Sequence, residues 1–351
     1  MKRLAAPLCL ALAALWTSAQ AADGTGPAAA ARPPGVQPCV PGAADPSAAL
    51  AACAALISDK ATAPDAVYSA YLSRADAYQR LGQPDLAAAD LDLAISLNPA
   101  APQAYQARGA FNESWRRYDL AITDALKLVS LNPNDEKSHW ALANLYREAG
   151  KFDAAFAEFD QAIKLNPADT NIYISRGLAH AANHQPDLAA ADGELAVKSD
   201  PGSVTAHEFL AIGYTLTRQW DKAVQNADQI VKLKPGDAIA LDRACWSRAA
   251  AGHDLDAAIA DCDAGLKIAP TSANLLDSRG FVHFRKGDLT AARADYDQAL
   301  KFNARLASAL FMRGVVKHRL GDAAGGDADM AGARAAKPDI AATYALLGVA
   351  P

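Results

Sequence analysis

Between residues 136 and 169, apolar positions recur with a helical rather than a strand period. In EKSHWALANLYREAGKFDAAFAEFDQAIKLNPAD, Leu142, Ala143 and Tyr146 share one helical face, and Ala155, Phe159 and Ala162 share another. Gly150 parts the two runs, where a left-handed residue can end a helix. Asp153 sets a negative charge in the first turn of the next, which suits the helix dipole. Asn166-Pro167 closes the second run, because the proline ring disfavours a helical residue before it. The pattern predicts a helical hairpin with one apolar seam. A segment this short cannot bury its seam alone, so copies must stack.

Copies begin near Tyr68, Pro102, Glu136, Thr170, Val204, Ala238, Ala273 and Ala307, 34 residues apart except for one copy of 35. Proline closes seven of the eight (Pro99, Pro133, Pro167, Pro201, Pro235, Pro270 and Pro338), and Ala304 stands at the eighth place. A small residue recurs where the two helices should cross closely, from Ala75 and Gly109 to Gly280 and Gly314. The extra residue falls in the GHDLD turn of the copy from Ala238, and His184 stands where other copies carry the turn glycine. Arg74, Arg108, Arg176, Arg279 and Arg313 face Asp90, Asp124, Asp192, Asp295 and Asp329, a pattern better suited to fixing hairpin register than to a charged ligand track. The expected fold is all-α, a solenoid of about eight hairpins over residues 68–338. Residues 39–67 supply a half-repeat capping helix, and 339–351 a last helix whose Ala342, Ala345 and Leu346 cover the final seam.

The first 21 residues pair Lys2 and Arg3 with an apolar run and end on Ala19-Gln20-Ala21, the pattern of a cleaved signal peptide; 22–38 is an Ala/Pro/Gly-rich leader. The chain is therefore expected to be exported, periplasmic or released, with no membrane span after cleavage. Cys39, Cys53, Cys245 and Cys262 then remain, an even number in an oxidising compartment. Of three possible pairings, local placement favours Cys39 with Cys53 and Cys245 with Cys262. Hydrophobic residues reach 51%, largely alanine, with 7% aromatic, which fits closely approaching helices. A formal charge of −5 without a basic cluster beyond Lys2-Arg3 argues against a nucleic-acid partner.

One stripe of each first helix lies a step away from the seam. In the last three copies it carries Asp242 and Trp246, then Asp277, Phe281 and Phe284, then Phe311 and His318. These predict an apolar groove edged by Asp242, Asp277, Arg285 and His318, since a contiguous exposed aromatic patch marks a contact site. The alternative is that the rings fill gaps between hairpins. A second, smaller candidate is Trp140, Asn144 and Arg147. His180 and His184 have i, i+4 spacing without a third ligand, so no metal is expected. Neither a nucleophile elbow nor a phosphate loop is present, so no enzyme activity and no cofactor are expected.

The series Ala143, Tyr146, Ala155, Phe159, Ala162 and Pro167, repeated over nearly the whole chain after residue 21, resembles the tetratricopeptide repeat (TPR), and the cysteine pair near the first cap resembles exported bacterial members. That resemblance implies a right-handed superhelix whose first helices line a groove for a partner peptide or helix. One subgroup clamps C-terminal carboxylates. Here Asn144 matches one clamp asparagine, but Trp140 stands at the lysine, Ser175 at the second asparagine, and Thr205 and Phe209 at the basic pair. The expected function is a protein- or peptide-binding scaffold or adaptor in the cell envelope. The rival is a carbohydrate- or peptidoglycan-binding module stacking sugars on groove aromatics.

Overall fold

The computed structural model describes residues 39–350, so the expected signal and leader segments lie outside the described residues. Among the described residues there are eighteen helices and no strand, and they form two compact units, 39–179 and 180–350.

In the first unit, α1 (Pro46–Ser58) precedes the hairpins α2 (Pro64–Arg80)–α3 (Pro84–Leu97), α4 (Pro102–Ser114)–α5 (Tyr118–Leu131) and α6 (Glu136–Glu148)–α7 (Phe152–Leu165). The division falls inside α8 (Thr170–Ala182). The second unit continues with α9 (Pro186–Ser199), then the hairpins α10 (Val204–Leu216)–α11 (Trp220–Leu233), α12 (Ala238–Ala251)–α13 (Leu255–Ile268), α14 (Ala273–Arg285)–α15 (Leu289–Phe302) and α16 (Ala307–Arg319)–α17 (Ala323–Ala336). A six-residue helix, α18 (Ile340–Ala345), comes last.

The seams are built from the predicted residues. Ala143, Ala155, Phe159, Ala162 and Ile172 are fully buried together in the first unit. In the second, Tyr296 lies against Gly280 so closely that an added Cβ would come within 2.8 Å of the ring. Each of the eight described hairpin turns uses one left-handed residue, except the longer α12–α13 turn, which uses two, Gly252 and Asp254 at φ 53°. Gly82, Gly150, Gly252, Gly287 and Gly321 supply it cheaply, whereas Arg116, His184 and Arg218 adopt it at φ 55–59°.

Two repeated polar devices set the register. Arg74, Arg108, Arg279 and Arg313 each grip the aspartate sixteen residues ahead on their own second helix with two guanidinium nitrogens. Arg108, Arg176, Arg279 and Arg313 also donate to the aspartate sixteen residues behind. Tyr105 and Tyr173 donate their hydroxyls to the carbonyls of Pro99 and Pro167, and the His139 and His207 rings meet those of Pro133 and Pro201. These four closing turns thus each find a partner for the carbonyl of the proline that follows the helix.

Both expected disulfides form. Cys39–Cys53 ties the segment before α1 to that helix, and Cys245–Cys262 joins α12 to α13, with Cα atoms 4.9 and 5.5 Å apart. The final helix departs from expectation. Its buried face is Ile340, Tyr344 and Leu347, while Ala342, Ala345 and Leu346 are exposed. It turns across the first helices of the last two hairpins, where large rings wait, instead of running along the last seam.

Candidate binding surface

The predicted aromatic groove is occupied. Phe281, Phe284 and Phe311 are buried, at most 6% exposed, and Tyr344 lies over two of them. Its ring stacks on Phe311 at 5.3 Å and meets Phe281 edge-on at 5.7 Å. The expectation of an open patch is thus corrected, and these rings do fill a gap, one closed by residues 340–349. Arg285 is likewise no groove edge. Its Nη2 donates to the Leu347 carbonyl at 2.7 Å and its Nε to that of Ala249 at 3.1 Å, with the guanidinium 5.1 Å over Phe281. Burial lowers its pKa. His318 turns toward α17, where its Nε2 meets Asp327 Oδ1 at 3.1 Å.

Asp242, Asp277 and Trp246 remain together. With Ile239, Arg243, Asn274 and Ser278 they line a cleft of about 300 Å³ between α12 and α14. Trp246 is half-buried, edge-on to Trp220 at 6.3 Å. Ser278 donates to Asp242 Oδ1 at 2.6 Å. Burial pushes the Asp242 carboxyl up, against that hydrogen bond and the charge of Arg243. Burial pushes Asp277 further, to about 7; Ser308 opposes the shift and the Asp242 charge adds to it. Asp277 Oδ1 and the Tyr296 hydroxyl, both shut from solvent, have no hydrogen-bond partner.

The second candidate sits on α6 in the other unit. Trp140 Nε1 donates to Ser175 Oγ at 2.9 Å, and Asn144 Nδ2 donates to the Trp140 carbonyl at 3.0 Å. Arg147 donates through Nη2 to Glu148 at 2.7 Å. Asn144 Oδ1, an acceptor, and Arg147 Nε, a donor, are buried without partners. Glu113 faces this group from the preceding hairpin. Burial raises its pKa first, Glu148 raises it further, and Arg147 opposes. The structure therefore unites Trp140, Asn144 and Arg147, and adds Ser175 and Glu113. The repeat spacing lists both added positions on neighbouring first helices, but it does not say which polar heads meet. Away from this surface, His180 Nδ1 pairs with Gln185 at 2.8 Å. Among the described residues no group of three His, Cys, Asp or Glu is gathered for a metal, and no helix is long and apolar enough to cross a membrane.

Two family models match the sequence, both described as tetratricopeptide repeats, over residues 68–100 and 143–183. The helix pair at each match, its small-residue crossing and its closing proline are those of that repeat. The chain carries tetratricopeptide repeats. Among solved structures, this TPR chain is similar to the C-terminal part of a TPR repeat-containing protein from Cytophaga hutchinsonii, at 16% identity and a TM-score of 0.56, covering 69% of this chain and 98% of that one. A tetratricopeptide repeat protein from Parabacteroides merdae matches at 18% identity and a TM-score of 0.45, covering 71% and 98%. YrrB, described as a TPR protein with an unusual peptide-binding site, matches at 20% identity and a TM-score of 0.45, covering 53% and 95%. No curated protein matches the sequence.

Proposed function

We propose that this TPR protein is a non-catalytic scaffold of the cell envelope, which binds a peptide segment of a protein partner on the first-helix face around Trp140, Asn144 and Arg147. The observation that carries the reading is the unfilled acceptor and donor on one stripe of α6, Asn144 Oδ1 and Arg147 Nε. An unpaired buried polar group costs roughly 1–3 kcal/mol, and a ligand that supplies the missing bond recovers much of that. An extended segment seated beside the Trp140 ring carries an N–H and a C=O at every residue, and Asn144 and Arg147, each half-buried as a whole, reach them by turning outward. Pre-formed hairpins need little ordering on binding, so the recovered energy goes into affinity. Export is supported by the pattern of residues 1–21 and by two disulfides, which persist in oxidising compartments.

The test is capture from envelope extract with a photo-crosslinking residue at position 140, comparing the parent with Asn144→Ala/Arg147→Ala. A protein adduct should fall about tenfold or more in the variant, as expected for loss of roughly 1.4 kcal/mol of binding. Undiminished capture by the variant contradicts the proposal. Retention on peptidoglycan in place of a protein adduct favours the sugar-binding rival.

A further inference from the structure

We infer that residues 340–349 are a displaceable internal occupant of a second binding surface on α14 and α16, and that this surface takes a short partner helix bearing an aliphatic residue, an aromatic four residues on and a leucine three further. The inference rests on the reading that first-helix faces of this protein take peptides. Counted within their copies, Phe311, Phe281 and Phe284 hold the fifth, ninth and twelfth places. Trp140, Asn144 and Arg147 hold the same three places in theirs. The chain's own segment therefore sits on repeat positions equivalent to those proposed to hold a partner.

The manner of its seating is that of a ligand more than of another hairpin. Tyr344 follows Pro338 by six residues, as Tyr105 follows Pro99 and Tyr173 follows Pro167. Those tyrosines donate to their prolines' carbonyls. The Tyr344 ring instead crosses to Phe311 and to Phe281 one hairpin further back. Ile340, Tyr344 and Leu347 form the buried stripe, and Arg285 clips the segment by a backbone carbonyl, a contact that any peptide can supply. The helix is only six residues long, has no side-chain cap bond at its start, and is followed by Gly348 at φ 74°. Beneath it, Asp277 Oδ1 and the Tyr296 hydroxyl stay unmatched, so the present occupant does not satisfy every group it covers.

The experiment compares the full chain with its Tyr344→Ser/Leu347→Ser variant, using a fluorescent synthetic peptide PDIAATYALLGVA and the same peptide with serine for tyrosine. The opened variant should bind the first peptide about ten times more tightly than the parent does, because the parent's site is already filled, and should ignore the second. In the unaltered protein, the amides of Leu347 and Val349, bonded to the Tyr344 carbonyl, should exchange at least about ten times faster than those of Met312 and Val316 in α16, as a separately opening segment does. Equal exchange at all four amides, no preference of the variant for the peptide, or loss of helical fold in the variant each overturns the inference, since the segment is then an inseparable part of the core. A dimer that exchanges residues 340–349 between copies also overturns it, making a second copy the occupant. None of these outcomes touches Trp140, Asn144 or Arg147 in the other unit, so the proposed function stands or falls separately.

Discussion

Arg279 holds Asp295 by two hydrogen bonds, of 2.9 Å from Nε and 2.7 Å from Nη2, while its Nη1 reaches back to Asp263 at 2.7 Å. One side chain thereby bolts α14 to its own second helix and to the second helix of the preceding hairpin. Lysine cannot reproduce this fork, because an ammonium is a point donor on a flexible stem. Arg279→Lys should cost roughly 1–2 kcal/mol, more than an exposed pair because Asp295 is buried. Urea denaturation of the parent and variant measures it.

The close crossing in the same hairpin predicts a steric loss. A methyl at position 280 would lie 2.8 Å from the Tyr296 ring, which is fully buried and has nowhere to retreat. Gly280→Ala should destabilise by about 1–3 kcal/mol despite the better helix propensity of alanine. A rise in melting temperature would show that the crossing is looser than described.

Turn positions run the other way. Arg116, His184 and Arg218 occupy the left-handed slot that glycine holds in five other hairpins. Each replacement by glycine should stabilise by roughly 1 kcal/mol, with the three adding because the sites are far apart in sequence and share no hairpin. Thermal melts of the single and triple variants measure the gain.

Those turns also show how much of the fold was legible. Helix starts at Pro102, Glu136, Thr170, Val204, Ala238, Ala273 and Ala307 coincide with the repeat starts read from spacing, and α2 begins four residues before Tyr68 because Pro64 suits a first helical position. A period of 34 residues fixes which positions line a seam, so the core and the facing of Cys245 and Cys262 follow from it. Cys39–Cys53 follows instead from the even cysteine count and the nearness of the two in sequence. The same period lists Phe281, Phe284 and Phe311 on the outward stripe, yet it contains no term for a segment that leaves the ladder. Tyr344 falls at the place of Tyr105 and Tyr173, and its ring goes instead to the two phenylalanine rings, where its hydroxyl meets Ser308. Likewise Arg285 reads as a groove edge until a carbonyl 62 residues away takes its donor.

Asp277 predicts a pH dependence. Its carboxyl is pushed up to about 7 by burial, beside Ser308, Asp242, Tyr296 and Tyr344. A carboxyl raised above its unfolded pKa binds its proton more tightly in the folded chain. Its contribution is therefore complete below about pH 4 and is lost as the pH climbs to about 7. Asp329 acts oppositely: burial raises it, but Arg313 and Lys317 together hold it below its ordinary value, so its contribution is lost as the pH falls. The informative quantity is the difference between parent and Asp277→Asn. The variant should gain a few degrees of melting temperature near pH 8 and little near pH 5. A gain that does not vary with pH would contradict the assignment.

The disulfide inside α12–α13 is sealed, with both cysteines fully buried. Mild reductant should leave it intact in the native protein, whereas Cys245→Ser/Cys262→Ser should cost about 2–4 kcal/mol. Thiol labelling with and without denaturant distinguishes protection from simple stability.

The most direct test of the scaffold reading is a hydrogen-exchange footprint of the purified protein with the partner captured through position 140. Slowed exchange should concentrate on Glu136–Glu148 and its neighbouring first helices, and Asn144→Ala/Arg147→Ala should erase it. Protection confined to second helices, or a footprint unaltered in that variant, would contradict the account.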